Sequence, residues 1–163
     1  NVAAVSGLMR ISNPEVNMVS APVIARDRGI DCSTTTQEKT GVFDGYIKLT
    51  VRTKQRERSI AGTVFSDGKP RFIQIKGINI DAEIGQNMLY TTNTDTPGII
   101  GVLGQTLGSN DVNIANFTLG RADRGKDAIA LLYVDEPVGA SVVAQLEGTG
   151  MFSSVRPLQF DVA

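Results

Sequence analysis

From Met88 to Phe160, strand-like and helix-like stretches follow one another in the order β-α-β-β-α-β, which few compact folds accept. Residues 88–92 read as a strand. Thr96-Pro97-Gly98 opens a helix with Ile99, Leu103 and Leu107 at i, i+4 and i+8, and residues 108–111 end it. Residues 113–121 alternate, which places Ala115, Phe117 and Leu119 on one face. Asp123-Arg124-Gly125-Lys126 turns into 128–134, a nearly continuous apolar strand. Asp135-Glu136-Pro137 starts a second helix carrying Val138, Val142, Val143 and Leu146, and 151–160 forms the last strand. Right-handed crossovers put both helices on one face of a four-stranded antiparallel sheet. The other face is left to cover a second sheet, and an edge strand is left to pair with a copy of itself.

The preceding residues are organised differently. Residues 3–11 are a short apolar helix. Asn13-Pro14-Glu15 offers a helix start, with Val16, Val19, Val23 and Ile24 at helical spacing, Pro22 as a kink and Gly29 as the stop. Ile47, Leu49 and Val51 then alternate with Lys48, Thr50 and Arg52. Polar turns at 54–57 and 66–68 lead to strands over 60–65 and 71–76, and Gly77 precedes 78–80. The expected class is α+β: a helix-on-antiparallel-sheet domain over 1–84, then a ferredoxin-like βαββαβ domain over 85–163. Charge divides at the same seam. Residues 1–84 hold 12 Lys and Arg against 9 Asp and Glu, whereas 85–163 hold 4 against 8.

Composition removes several chemistries. The 163 residues contain no His and one Cys, so Ser-His and Cys-His nucleophile pairs, imidazole ligands and a thiolate zinc site are all absent from this sequence. No Gly-x-Gly-x-x-Gly joins a strand to a helix, so no dinucleotide site is expected here. No apolar run approaches the ~20 residues that span a bilayer, and the basic stretches lack the interleaved aromatics of a nucleic-acid surface. The sequence opens at Asn1 without an initiator Met or a signal-peptide pattern, and we expect it to be part of something longer. Neither catalytic residues nor a metal site are expected within it.

Two stretches carry a family resemblance. Asn93-Thr94-Asp95-Thr96-Pro97-Gly98-Ile99-Ile100-Gly101, with Val112-Asn113-Ile114 and Gly120-Arg121, resembles an ACT domain, a small amino-acid-sensing module. Residues 14–29 and Phe65-Ser66-Asp67-Gly68-Lys69-Pro70-Arg71-Phe72-Ile73-Gln74-Ile75-Lys76-Gly77 resemble the intervening, allosteric-substrate-binding domain of long-form D-3-phosphoglycerate dehydrogenases. The resemblance implies the C-terminal regulatory region of a cytoplasmic, oligomeric enzyme of serine biosynthesis, whose NAD-binding domain lies upstream. In the related enzymes serine sits between two ACT domains, held by polar side chains at strand ends. That role carries over to Asn93, Asp95 and Asn113, although some relatives have His or an aromatic residue at the position of Asn93. A small chain of an iron-sulfur L-serine dehydratase resembles the same layout, and a module that only oligomerises is a third reading.

The side chains suit such a ligand. A helix opening at Pro97, Gly98 and Ile99 presents free amides and a positive dipole end to a carboxylate. Gly98 and Gly101 allow close approach, Asp95 offers an acceptor for an ammonium, and Asn93 and Asn113 can donate or accept. Turn chemistry alone would also account for Asp95 as an Asx-turn residue and for Asn113 as the start of a strand. In the first domain Arg71 and Lys76 are candidates for an anionic effector, against the alternative of a solvated hairpin tip. Cys32 reads as a half-buried small residue.

Overall fold

The computed structural model describes residues 2–36 and 45–161. The chain forms two compact units, Asn1–Asp44 and Gly45–Ala163.

The first unit holds α1 (Val2–Arg10) and α2 (Ala21–Asp27), packed through Met9, Val16 and Ala21. The second helix starts later than the Asn-Pro-Glu signal suggests. Asn13 accepts from the Glu15 amide, and Asn17 accepts from the amides of Val19 and Ser20. These Asx turns occupy the backbone up to Ser20. Pro22 then sits in the first turn of α2, where its missing N–H costs nothing, and introduces no kink. Gly29, at φ +69°, ends the helix. The amides of Gly29 and Ile30 return to the carbonyls of Arg26 and Ala25, the paired bonds of a Schellman motif.

The second unit has three layers. The outer sheet is a meander of β1 (Ile47–Arg52), β2 (Glu57–Val64), β3 (Pro70–Ile75) and β4 (Ile78–Glu83), antiparallel throughout. Lys76 and Gly77, both at positive φ, form the two-residue turn between β3 and β4. The central sheet has the strand order β6-β7-β5-β8, from β5 (Asn87–Thr94), β6 (Ile114–Arg121), β7 (Asp127–Val134) and β8 (Phe152–Gln159). The third layer comprises α3 (Ile99–Gly108) and α4 (Ala140–Gly148), which bury Leu103, Leu107, Val142 and Leu146 against Leu89, Leu132 and Val155. The connectivity from β5 to β8 is the expected βαββαβ.

The free face of the central sheet does cover a second sheet. Ile75, Ile78, Ile80 and Ala82 pack on Met88, Ile129 and Leu131, so a single apolar layer joins residues from both sides of the 84/85 boundary. Gly120 permits this approach: a Cβ there would lie 2.7 Å from the Asn79 carbonyl oxygen. Two local details depart from simple alternation. A bulge between Ile114 and Asn116 turns Ile114 to the helix-side core along with Phe117. The helix expected from 135 begins only at Ala140, and Val138, just before its Gly139 cap, is buried in the helix-side core that Val143 also packs against. Among the described residues no helix is long and apolar enough to cross a membrane.

Candidate functional site

At the end of the central sheet, where β5 leads into α3, lies an open cavity of about 160 Å³. Asn93, Asp95, Pro97, Gly98 and Ile99 line it, together with Ile100, Gly101, Leu119 and Ala128. Five of the six residues read from the sequence as amino-acid-binding therefore converge on one hollow.

The β5–Pro97–Gly98 turn builds that hollow. Gly98 caps α3 at φ +97°, a conformation an L side chain seldom adopts. Val102 is the first amide to close on the helix, at 3.0 Å from the Gly98 carbonyl oxygen, and no side chain caps the turn. The amides of Ile99, Ile100 and Gly101 therefore have no intrahelical partner. Beneath them, Asn93 shares the helix-side face of β5 with Leu89 and is only 4% exposed. Its Nδ2 donates to the Thr94 carbonyl oxygen at 2.8 Å, but its buried Oδ1 has no hydrogen-bond partner. An unpaired buried acceptor costs about 1–3 kcal/mol, and a ligand N–H or O–H would relieve that cost.

Asp95 is already occupied in part. Its amide donates to the Lys126 carbonyl oxygen at 2.8 Å. Its Oδ2 accepts from the Gly125 amide at 3.2 Å and from Arg121 Nη1 at 3.3 Å. The carboxylate thus holds the tip of the β6–β7 hairpin to the start of α3.

Asn113 lies elsewhere. Asn93 is opposite Ala128 on β7, whereas Ile114 is opposite Val134. Six residues of strand separate those positions, roughly 20 Å at ~3.4 Å per residue. Asn113 Nδ2 donates to Asp135 Oδ2 at 2.6 Å and its amide to Glu136 Oε2 at 3.3 Å. Within one chain it does not reach the cavity.

The two cationic candidates differ. Arg71 is neutralised internally: it pairs with Asp67 at 2.7 Å and Asp81 at 3.5 Å, and stacks 4.6 Å from the Phe65 ring centroid. The Lys69 amide and then Arg71 hold the Asp67 carboxyl below its usual range, which marks a self-contained hairpin network. Among the described residues Lys76 has no carboxylate at ion-pair distance. Its Nζ lies 5.4 Å from the Tyr90 ring centroid, and burial, then Arg58, push its pKa down. The buried Tyr90 hydroxyl has no partner. Of the two, Lys76 is the one without an ion pair among the described residues. Cys32 is exposed, not half-buried.

Sequence reasoning missed Leu119, Ala128 and Arg121. Ala128 faces Asn93 across the ladder and Leu119 shares the face of Phe117, so alternation carried a signal for both. Nothing in the pattern pointed to Arg121 as a partner of Asp95.

Comparison with known proteins fits this geometry. Residues 1–76 match the family model described as D-3-phosphoglycerate dehydrogenase intervening domain. The match covers a little under half of the chain. Over most of its length the chain is similar to D-3-phosphoglycerate dehydrogenases: 34% identical over 146 residues to the enzyme of Synechocystis and 31% over 141 residues to that of Bacillus subtilis. These matches cover 89% and 86% of this chain but only 26% and 27% of the relatives, so the chain spans about a quarter of their length. A probable L-serine dehydratase beta chain of Bacillus subtilis is 20% identical over 146 residues, covering 90% of this chain and 66% of that protein. The chain is therefore related to the regulatory region of the phosphoglycerate dehydrogenases.

Proposed function

We propose that this chain is an amino-acid-sensing regulatory region that binds L-serine, or a related small amino acid, where two copies meet. It would exert feedback control over an NAD-dependent D-3-phosphoglycerate dehydrogenase, the first enzyme of phosphorylated serine biosynthesis, in the cytoplasm. The observation that carries this reading is the cavity itself. It presents a buried, unpaired Asn93 oxygen beneath uncapped α3 amides, a donor-and-acceptor pair matched to a zwitterion. The small volume, and the apolar Leu119 and Ile100 at its rim, favour a short side chain.

The second copy follows from the position of Asn113. No motion within the sheet brings it to Asn93, but antiparallel pairing of β6 with its copy lays the start of one strand beside the end of the other. The β6 edge lacks proline. The opposite edge strand, β8, carries Pro157, which cannot donate to a further ladder. Pairing therefore favours β6. The chain contributes binding and not chemistry, and the NAD site belongs to the upstream domains of the parent enzyme.

The competing assignment is the small chain of an L-serine dehydratase, favoured by the larger share of that relative which the chain matches. Its iron-sulfur cluster would have to be held by another polypeptide, since Cys32 is the single cysteine here. Upstream sequence encoding a dinucleotide domain would decide against it. Calorimetric titration of the 163-residue chain with L-serine, glycine and L-phenylalanine tests the sensing role. Saturable heat with L-serine is expected. No heat at millimolar serine from a chain that dimerises would leave only an oligomerisation module.

A further inference from the structure

The two ends of β6 carry unlike charge. At its start, Asp111, Asp135 and Glu136 are exposed, and none has a cation within ion-pair distance among the described residues. At its end stand Arg121 and Arg124. Arg124 has no ion pair among the described residues, and Arg121, with 64% of its side chain exposed, makes only the 3.3 Å contact to Asp95. The remaining charges at this end are spoken for or face away. Asp123 pairs with Lys126 at 3.1 Å. Asp127 shares the face of Ile129, toward the outer sheet, where it acts on Lys76.

We propose that Arg121 is an exchange contact: in the paired form it leaves Asp95 for Glu136 and Asp135 of a second copy, which frees Asp95 to receive the ligand's ammonium. This rests on the self-pairing and amino-acid reading given above. Antiparallel pairing of β6 about a two-fold axis sets the acidic start of each copy beside the cationic end of the other, so the contact occurs twice per interface. Charge complementarity in that register opposes parallel pairing, which would set like ends together, and a slipped antiparallel register separates the unlike ends. The cavity is then completed by two events at once. Asn113 of the second copy arrives at the Leu119 side of the cavity, on β6, and the Asp95 carboxylate loses the side chain that occupies it. Arg121 is thus a positioning residue: it sets the charge at the site without being a ligand contact.

Sedimentation equilibrium of the full 163-residue chain in low salt provides the test, with circular dichroism melts of every variant to confirm folding. Arg121→Glu and Glu136→Lys, each alone, are expected to weaken the dimer at least tenfold, since each places two like-charged clusters in the interface. Mixing the two variants gives interfaces with one reversed pair and one native pair, and the double variant R121E/E136K restores both with inverted sign. The double variant should recover dimerisation to within about threefold of wild type. Dimerisation as tight in both single variants as in the wild type overturns the exchange contact while leaving serine sensing intact. A wild-type chain that stays monomeric at all concentrations overturns the pairing itself. Serine titration supplies the second readout: Arg121→Gln should retain serine binding and tighten it in dilute, monomeric solution, where Arg121 otherwise competes for Asp95. Unchanged affinity there would also sink the exchange.

Discussion

At position 93 a carboxamide is buried under a helix N-terminus with its oxygen unpaired, an arrangement that folding alone does not favour. Asparagine is a poor strand former and its orphan acceptor is costly. Asn93→Leu, of similar shape, should therefore leave the melting temperature unchanged or raise it while lowering serine affinity at least tenfold. Calorimetry and a thermal melt on the same sample decide it; equal affinity would remove Asn93 from the site. At this scale the sequence was readable wherever a motif fixed the local backbone. The stretch from Asn93 to Ile99 is a single turn, so its residues had to share one hollow. Asn113 is specified by an equally recognisable motif, yet its place relative to Asn93 depends on strand register, which is not local. The engagement of Asp95 by Arg121 and Gly125 was likewise invisible, because it joins residues 26 and 30 positions apart.

Among the elements, the approach of β4 to β6 depends on the absence of a side chain at residue 120. A Cβ at Gly120 would meet the Asn79 carbonyl oxygen at 2.7 Å and Ile78 Cγ2 at 2.9 Å. Gly120→Ala should destabilise the 45–161 unit by about 1–3 kcal/mol, the usual cost of overpacking, and urea unfolding would measure it. A second device sits where the same sheets meet at Tyr90. Burial pushes its phenol up to about 12 from 10.0. A group with a raised folded pKa gives stability that is complete below the unfolded value and lost as pH climbs through the folded one. Stability should thus fall between pH 10 and 12 in the wild type, and less so in Tyr90→Phe. Lys76 acts in the opposite sense: its lowered pKa makes stability rise with pH up to about 10.5. Above that pH the difference between wild type and Tyr90→Phe isolates the phenol. Strands and the α3 helix were legible because period-two and helical spacing are properties of contiguous residues. The region from Asn13 to Ser20 was not, because its asparagines bind backbone amides and divert the chain from the helix that its valines suggest.

Taken as a whole molecule, the 45–161 unit closes one face of the central sheet with the meander and the other with helices, and β6 and β8 stand at its two edges. If the amino-acid site needs Asn113 from a second copy, ligand binding and dimerisation are linked, and linkage is reciprocal. Serine must then tighten the dimer by the same factor by which dimerisation tightens serine binding. A coupling of ~1–3 kcal/mol corresponds to roughly 5–150-fold. Serine affinity measured at protein concentrations well below and well above the dimer dissociation constant should differ by that factor. The dimer constant measured with and without saturating serine should shift by the same amount. Asn113→Ala should abolish the shift while leaving the ligand-free dimer intact. A serine affinity independent of protein concentration would place the whole site within one chain, and Asn113 would then be no more than the strand-initiating residue that its bonds to Asp135 and Glu136 already explain.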